Sequence, residues 1–185
     1  PLAAITINAQ LPHRIARVCG NTGARLIHIS TDCVFNGKKG MYKETDKSDA
    51  EDLYGRTKYL GELSDQHCVT LRTSIIGHEL KGGYGLVEWF LAQHGKVRGF
   101  RNAIYSGFPT VEIERIIHYF ILPNPELNGV YHVSSEPISK YDLLRLVARQ
   151  YGKNIEIEPD DTVVQDRSLD SAIFRKVTNY QPPSW

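Results

Sequence analysis

The 185 residues carry 22 Lys or Arg against 21 Asp or Glu, a net charge of +1, with 41% hydrophobic and 23% charged residues. That balance belongs to a globular chain able to bury a sizeable core, and it gives no electrostatic case for a nucleic acid or a membrane surface as partner. No apolar run approaches the ~20 residues that cross a bilayer, and three cysteines without ligand spacing fit reduced thiols in the cytoplasm.

From the N-terminus, Ile5, Ile7, Leu11, Ile15 and Val18 recur with helical period and predict a helix over 2–19, stopped by Gly20 and Gly23. Residues 25–30, with Leu26, Ile27 and Ile29, read as a buried strand. A polar loop follows from Thr31 to Asp52, with turn signals at Asn36-Gly37 and Lys38-Lys39-Gly40. Loops this long in compact domains are often functional. Residues 53–64 predict a helix bearing Tyr54 and Lys58, and residues 68–74 the next strand. Strand, helix and strand in that order imply parallel pairing through a right-handed crossover. Ligands of such sheets bind at the carboxyl ends of the strands, where Thr31 and Ser74 fall.

Beyond Gly77 the spacing predicts helices over 86–93 and 111–122, the second with Ile113, Ile116, Ile117 and Phe120 on one face. A strand over 130–133 comes next, then a helix from an N-cap at Ser139 to Tyr151, with Asp142 completing a capping box. Residues 155–157 alternate like a half-exposed strand, and residues 171–180 predict a last short helix.

The chemistry concentrates in Tyr54-Gly55-Arg56-Thr57-Lys58, followed by Gly61-Glu62. A phenol and an ammonium four residues apart share a helix face, and a nearby positive charge favours the phenolate. An isolated Tyr ionises near pH 10, too high to trade protons at neutral pH without such help. The hydroxyl of Thr31, in His28-Ile29-Ser30-Thr31-Asp32, would hold a carbonyl or alcohol oxygen beside it. Together they suit oxidation or reduction of a carbonyl. Tyr-x-x-x-Lys alone is common by chance; the strand-Ser-Thr-Asp segment ahead of it gives it weight. Seven histidines lack metal-ligand spacing, and no metal site is expected.

Further segments share this register: Ile7-Asn8-Ala9, Val34-Phe35-Asn36-Gly37, Tyr42-Lys43-Glu44, Leu71-Arg72-Thr73-Ser74 and Gly107-Phe108-Pro109-Thr110. With them the chain resembles the extended short-chain dehydrogenases/reductases, and among these the dTDP-4-dehydrorhamnose reductase branch. The resemblance implies an α/β fold: a partial Rossmann-like doubly wound parallel sheet, its N-terminal half missing, with a small α/β substrate-binding lobe. Residues 1–78 would be the second half of the NAD(P)-binding domain. Residues 79–185 would be mainly the lobe, with 130–151 returning to the sheet.

The resemblance also implies NAD(P)H-dependent reduction of a nucleotide-linked 4-keto-6-deoxy-sugar, in deoxysugar and cell-surface polysaccharide biosynthesis. NADP or NAD would be the cofactor, a nucleotide-sugar the substrate, and a homodimer the natural assembly. Tyr54 would donate the proton; Lys58 would lower its pKa and hydrogen-bond the nicotinamide ribose; Thr31 would orient the substrate oxygen. Ser30, Ser74 and Ile75 would join Tyr54 and Lys58 along the cofactor. Asp32, Val34, Phe35 and Arg167 would meet the substrate, Arg167 as a bidentate donor to the diphosphate with Arg98 and Arg101 next in line. Asn8 matches a position that supports the lysine.

There are departures. No glycine cluster has the Gly-x-x-Gly-x-x-Gly or Gly-x-Gly-x-x-Gly spacing that cradles a cofactor pyrophosphate, so the chain is expected to be a C-terminal fragment, inactive alone. Ile75 stands where the branch usually has Trp, Cys33 where Tyr is usual, and Ile104-Tyr105 in place of an acidic-amide pair. The sugar and its nucleotide therefore stay open. So do an epimerase or dehydratase of the same superfamily, and a non-catalytic subunit resembling the regulatory subunit of methionine adenosyltransferase.

Overall fold

The computed structural model describes residues 1–185. Its first element is one continuous helix built from α1 (Leu2–Ala4), a widened π-helical stretch (Ile5–Gln10) and α2 (Leu11–Thr22). Gly23 ends it in the left-handed conformation at φ 70°, its N–H returning to the Cys19 carbonyl. Gly20, expected to share in that stop, lies inside the helix. Only Ala9, Pro12 and Ala16 are buried along it, while Leu2, Ile7, Leu11 and Val18 face solvent.

The strands are β1 (Leu26–Ile29), β2 (Cys68–Arg72), β3 (Ile75–Ile76), β4 (Lys96–Phe100), β5 (Ala103–Tyr105), β6 (Phe108–Pro109), β7 (Gly129–His132), β8 (Ile138–Ser139), β9 (Glu156–Asp160) and β10 (Gln165–Asp166). The helices after the first are α3 (Leu53–Leu60), α4 (Leu86–Ala92), α5 (Thr110–Ile116), α6 (Lys140–Gln150) and α7 (Ala172–Thr178). The main sheet is parallel, in the order β1-β2-β7. Central β2 is buried throughout, but β1 is an edge strand and only half-buried, less than its apolar run predicts. The principal core packs Val69 and Leu71 of β2 with Phe108, Ile113, Ile116, Phe174 and Tyr180 in one cluster.

The lobe is a second assembly. β4 and β9 pair in parallel, and Val97 packs with Phe90 of α4 and with Leu144 and Val147 of α6. β10, β5 and β8 form a short sheet beside them. Of the expected return over 130–151, the strand Gly129–His132 pairs with β2, whereas α6 lies on β4 and β9. The cause is its apolar face, whose Leu144 and Val147 are buried in the lobe. Ser139 caps α6 by accepting the Asp142 N–H at 3.0 Å and donates to the Asp142 carboxylate at 2.8 Å. The reciprocal half of the expected capping box is thus replaced by a side-chain bond. No helix is long and apolar enough to cross a membrane.

Candidate active site

The helix α3 is set by three local features. Asp52 accepts the Gly55 N–H at 2.8 Å and caps its N-terminus. Gly55 lets the helix lie directly on the Cys33 carbonyl, and Gly61 lets its end lie on the Asn8 carbonyl; an added Cβ at either position would overlap that oxygen. The buried Thr57 hydroxyl donates to the Leu53 carbonyl at 2.8 Å and accepts from Asn8 Nδ2 at 3.2 Å. Asn8 therefore reaches α3 at the residue before Lys58. The close packing brings Tyr54 and Lys58 to the carboxyl end of β1.

There, Lys58 Nζ donates to the Ile29 carbonyl at 2.7 Å, using one of its three N–H groups. Burial lowers its pKa, and Glu62 opposes that shift. Tyr54 stays 50% exposed. Partial burial raises its pKa, and the Thr31 hydroxyl is the group that favours its phenolate. This corrects the expectation that Lys58 pulls the phenol down: the ammonium is anchored on the strand, and the threonine takes that part. Thr31 itself is buried, accepting the Cys33 N–H at 3.1 Å and donating to Asp32 Oδ1 at 3.2 Å. It caps the 3-10 turn at Asp32–Val34 while sitting beside the phenol.

Past Thr31 the chain opens into a cavity of about 230 Å³ lined by Asp32, Cys33, Ser74, Ile75, Lys140 and Arg167, among others. Burial raises the Asp32 pKa, with Arg167 and Lys140 opposing. Arg167 Nη1 lies 3.3 Å from Cys33 Sγ, and its Nε is buried without a partner. Neither Arg167 nor Lys140 forms an ion pair, whereas Arg98 pairs with Asp160 at 3.1 Å and Arg101 pairs with Asp161. Arg98 and Arg101 do not line this cavity. Lys140 was not legible as a site residue: it follows an ordinary helix cap and is brought to Asp32 only by the fold.

The side-chain roles expected for Val34, Phe35 and Ser30 are corrected. Val34 and Phe35 are 0% exposed, packed with Tyr42 and Leu169, so their side chains are core and not substrate contacts. The 3-10 turn directs them inward, and Phe35 stacks on Tyr42 at 4.1 Å. Ser30 is buried and its hydroxyl donates to Glu62 Oε1 at 2.7 Å, leaving it unavailable to a cofactor. Ser74 and Ile75, expected along the cofactor, line the cavity with Asp32 and Arg167.

A half-exposed phenol, a threonine hydroxyl beside it and an ammonium with two unused donors form a set that fits a carbonyl oxygen and a ribose diol at one strand end. The residues present thus fit the nicotinamide end of a dinucleotide. The scan against family models matches the RmlD substrate binding domain over residues 1–170. The chain belongs to this family.

Among relatives of the RmlD substrate binding domain, the chain is 36% identical over 178 residues to the spore coat polysaccharide biosynthesis protein SpsK of Bacillus subtilis, covering 83% of this chain and 60% of that protein. It is 30% identical over 162 residues to a dTDP-4-dehydrorhamnose reductase of Mycobacterium tuberculosis, covering 80% and 53%. The chain thus spans a little over half the length of the curated relatives it matches. The crystal structure of a hypothetical dTDP-4-dehydrorhamnose reductase from Sulfolobus tokodaii superposes with a TM-score of 0.81 at 28% identity, covering 98% of this chain and 68% of that one. A larger groove of about 760 Å³ lies on the other flank of this RmlD-type lobe, lined by Val87, Leu143, Val147 and Trp185. Tyr54, Lys58 and Thr31 line neither cavity, but Asp32 and Cys33, the residues that follow Thr31, line the smaller one.

Proposed function

We propose that the protein reduces the 4-keto group of a nucleotide-linked 6-deoxy-sugar with NADPH or NADH, as part of deoxysugar and cell-surface polysaccharide biosynthesis in the cytoplasm. The observation that carries this reading is the convergence of Tyr54 and Thr31 at the carboxyl end of β1, one step from a cavity with two unpaired cations. Names among the relatives support the substrate class, since the Mycobacterium protein is a dTDP-4-dehydrorhamnose reductase. The nicotinamide, when bound, supplies the hydride.

The chain's own residues do the rest. Lys58, tethered to Ile29, offers its two free N–H groups to the ribose. The Thr31 hydroxyl, turned from Asp32, donates to the carbonyl oxygen beside the phenol, and Tyr54 gives that oxygen its proton. Tyr54 is protonated at neutral pH, the state a proton donor needs, and Thr31 works against the upward shift that burial imposes. Arg167 and Lys140 take the diphosphate charge, and Ile75 and Ile76 face the sugar with apolar surface. We expect the isolated 185 residues, without a pyrophosphate-cradling loop, to leave the cofactor unconsumed.

The test follows NADPH and NADH consumption by the natural protein with a panel of nucleotide 4-keto-sugars, comparing wild type with Tyr54→Phe. The expected result is turnover that falls about 10²-fold or more on loss of the phenol. A protein that consumes neither cofactor with any of these sugars, and instead stays bound to a partner protein, overturns the reading.

A further inference from the structure

We infer that Glu62 is a positioning residue, tying the Lys58 end of α3 to all three strands of the main sheet through one row of buried side chains. The proposal rests on the reading above for what Lys58 does, while the ties stand on geometry alone.

The row comes from the register. Ile29 stands opposite Leu71, which stands opposite Tyr131, and Arg72 stands opposite His132. Ser30 continues β1 by donating its N–H to the Leu71 carbonyl at 2.8 Å. Ser30, Arg72 and His132 therefore follow one another across the sheet. Their side chains meet Glu62, or each other, in sequence. Ser30 Oγ donates to Glu62 Oε1 at 2.7 Å; Arg72 Nε donates to the same oxygen at 2.8 Å, and Nη2 to Oε2 at 2.7 Å. Arg72 Nη1 lies 3.1 Å from His132 Nε2, and His132 Nδ1 lies 2.9 Å from the Tyr42 carbonyl. The carbonyl can only accept, which assigns the histidine proton to Nδ1 and leaves Nε2 to accept from Arg72.

A ring closes on the other side. Lys58 is bonded to Ile29, the last residue of β1, and Glu62 to Ser30, the next residue, while Lys58 lies in the last turn of α3 and Glu62 two residues past its end. The ammonium cannot swing away from the strand end without opening a bond in a network whose Arg72 and Glu62 side chains are 5% and 7% exposed. A buried ion pair is a weak source of net stability, since desolvation offsets the attraction. Fixing a register and a side-chain position is the contribution left to it. Several residues of the recurring segments that touch no cavity, among them Glu62, Arg72 and the Tyr42 backbone, gain a role in this way.

The charged and titratable groups facing Lys58 are Glu62 at the end of its own helix and His28 on β1, with Arg72 of β2 behind Glu62 and His13 of α2 behind His28. Burial holds His28 down to about 4, so it is neutral near pH 7. Glu62 is then the anion that opposes the effect of burial on the ammonium.

The experiment uses the natural protein with isotope-labelled lysine. Lys58 is titrated by NMR, and kcat and KM for the nucleotide keto-sugar are measured from about pH 6 to about pH 10. The variants are Glu62→Gln and the double change Glu62→Gln with Arg72→Met, which removes both buried charges together and so keeps the fold testable if the single variant unfolds. Positioning by Glu62 predicts that Lys58 titrates at lower pH in the folded variants. The alkaline limb of kcat should move with it, and kcat should fall about 10-fold or more while KM changes little. A double variant with wild-type Lys58 titration and pH profile overturns the proposal, leaving the row a structural tie only. Absence of wild-type turnover with every sugar would sink the reductase reading instead, while a displaced Lys58 titration in the same samples would still uphold the tie.

Discussion

Arg72 and Arg167 are both drawn away from water, and only one of them meets a carboxylate. Arg72 lies in the sheet, bonded to Glu62 through two nitrogens and to His132 through a third. Arg167 lies in the lobe, with a thiol at 3.3 Å and a buried Nε that touches nothing polar. Lys140 shares its cavity and also forms no ion pair. A charge taken from water without compensation costs several kcal/mol or shifts its ionisation, and a guanidinium does not titrate near neutrality. The sheet cluster is complete in itself and builds the scaffold. The lobe cluster sets two cations against the single carboxylate of Asp32, and on the function proposed above the substrate diphosphate completes it.

The largest test of that difference is Glu62→Ala. It strands Arg72 in a site 5% exposed, and should cost about 3–5 kcal/mol in urea unfolding. A loss below about 1 kcal/mol would mean that water reaches the row and that the completeness claimed for it is wrong.

Next comes pH. His132 is fully buried, and its pKa is held down from 6.5 to about 4, by burial first and by Arg72 second. A folded pKa below the unfolded one means the unfolded chain takes up the proton more readily. The stability this supplies is fully present above pH 6.5 and is lost as pH falls through 6.5 toward 4, about 3 kcal/mol in all. Unfolding free energies at neutral and mildly acid pH should show this loss in wild type. His132→Gln should flatten it, leaving the share due to His28, which shifts in the same direction. An equally steep decline in the variant would remove His132 from the row.

A smaller effect sharpens the scaffold side. Gly55→Ala sets a methyl against the Cys33 carbonyl, in backbone that cannot yield cheaply, and should destabilise by about 1–3 kcal/mol. Gly83→Ala, with open space around its position, should stay within about 0.5 kcal/mol of wild type. Equal thermal shifts in the two variants would show that α3 does not depend on its close approach to the loop.

These two regions also differed in how far the chain disclosed them. The sheet half was legible because its apolar runs at 26–29 and 68–72 are bounded by turn residues, and because Tyr54 and Lys58 are local in sequence. Of the lobe strands only β9 was read, from the alternation over 155–157. Lys96-Val97-Arg98-Gly99-Phe100 does alternate in burial, but with a glycine at one inward position it offers too little apolar signal. Strands of two or three residues, such as β5 and β10, carry no period at all. Tyr54, Lys58, Thr31 and Arg167 were nameable from motif and resemblance. Glu62 was visible only as part of a motif, since its partners Ser30 and Arg72, with His132 behind them, come from strands whose alignment no local pattern encodes. Val34 and Phe35 failed for the opposite reason: they sit in a recurring segment, yet the turn that creates the site points them into the core.

The smallest stability effect is expected where the binding effect is clearest. Arg167→Met removes a guanidinium whose Nε has no partner and keeps most of the apolar stem. With no ion pair broken, the unfolding free energy should stay within about 0.5 kcal/mol of wild type or rise slightly. A charge-assisted hydrogen bond to a diphosphate is worth about 1.5–3 kcal/mol, so KM for the nucleotide-sugar should rise roughly 10- to 100-fold, with kcat much less affected. Lys140→Met should raise KM less and in a salt-dependent way, because the ammonium is a single flexible point charge. Arg98→Met, already paired with Asp160 on the surface, should change neither quantity. If Arg167→Met instead unfolds the protein as Glu62→Ala does and leaves KM untouched, the two arginines are alike. The unpaired cluster would then be scaffold as well, and the diphosphate would have to bind elsewhere.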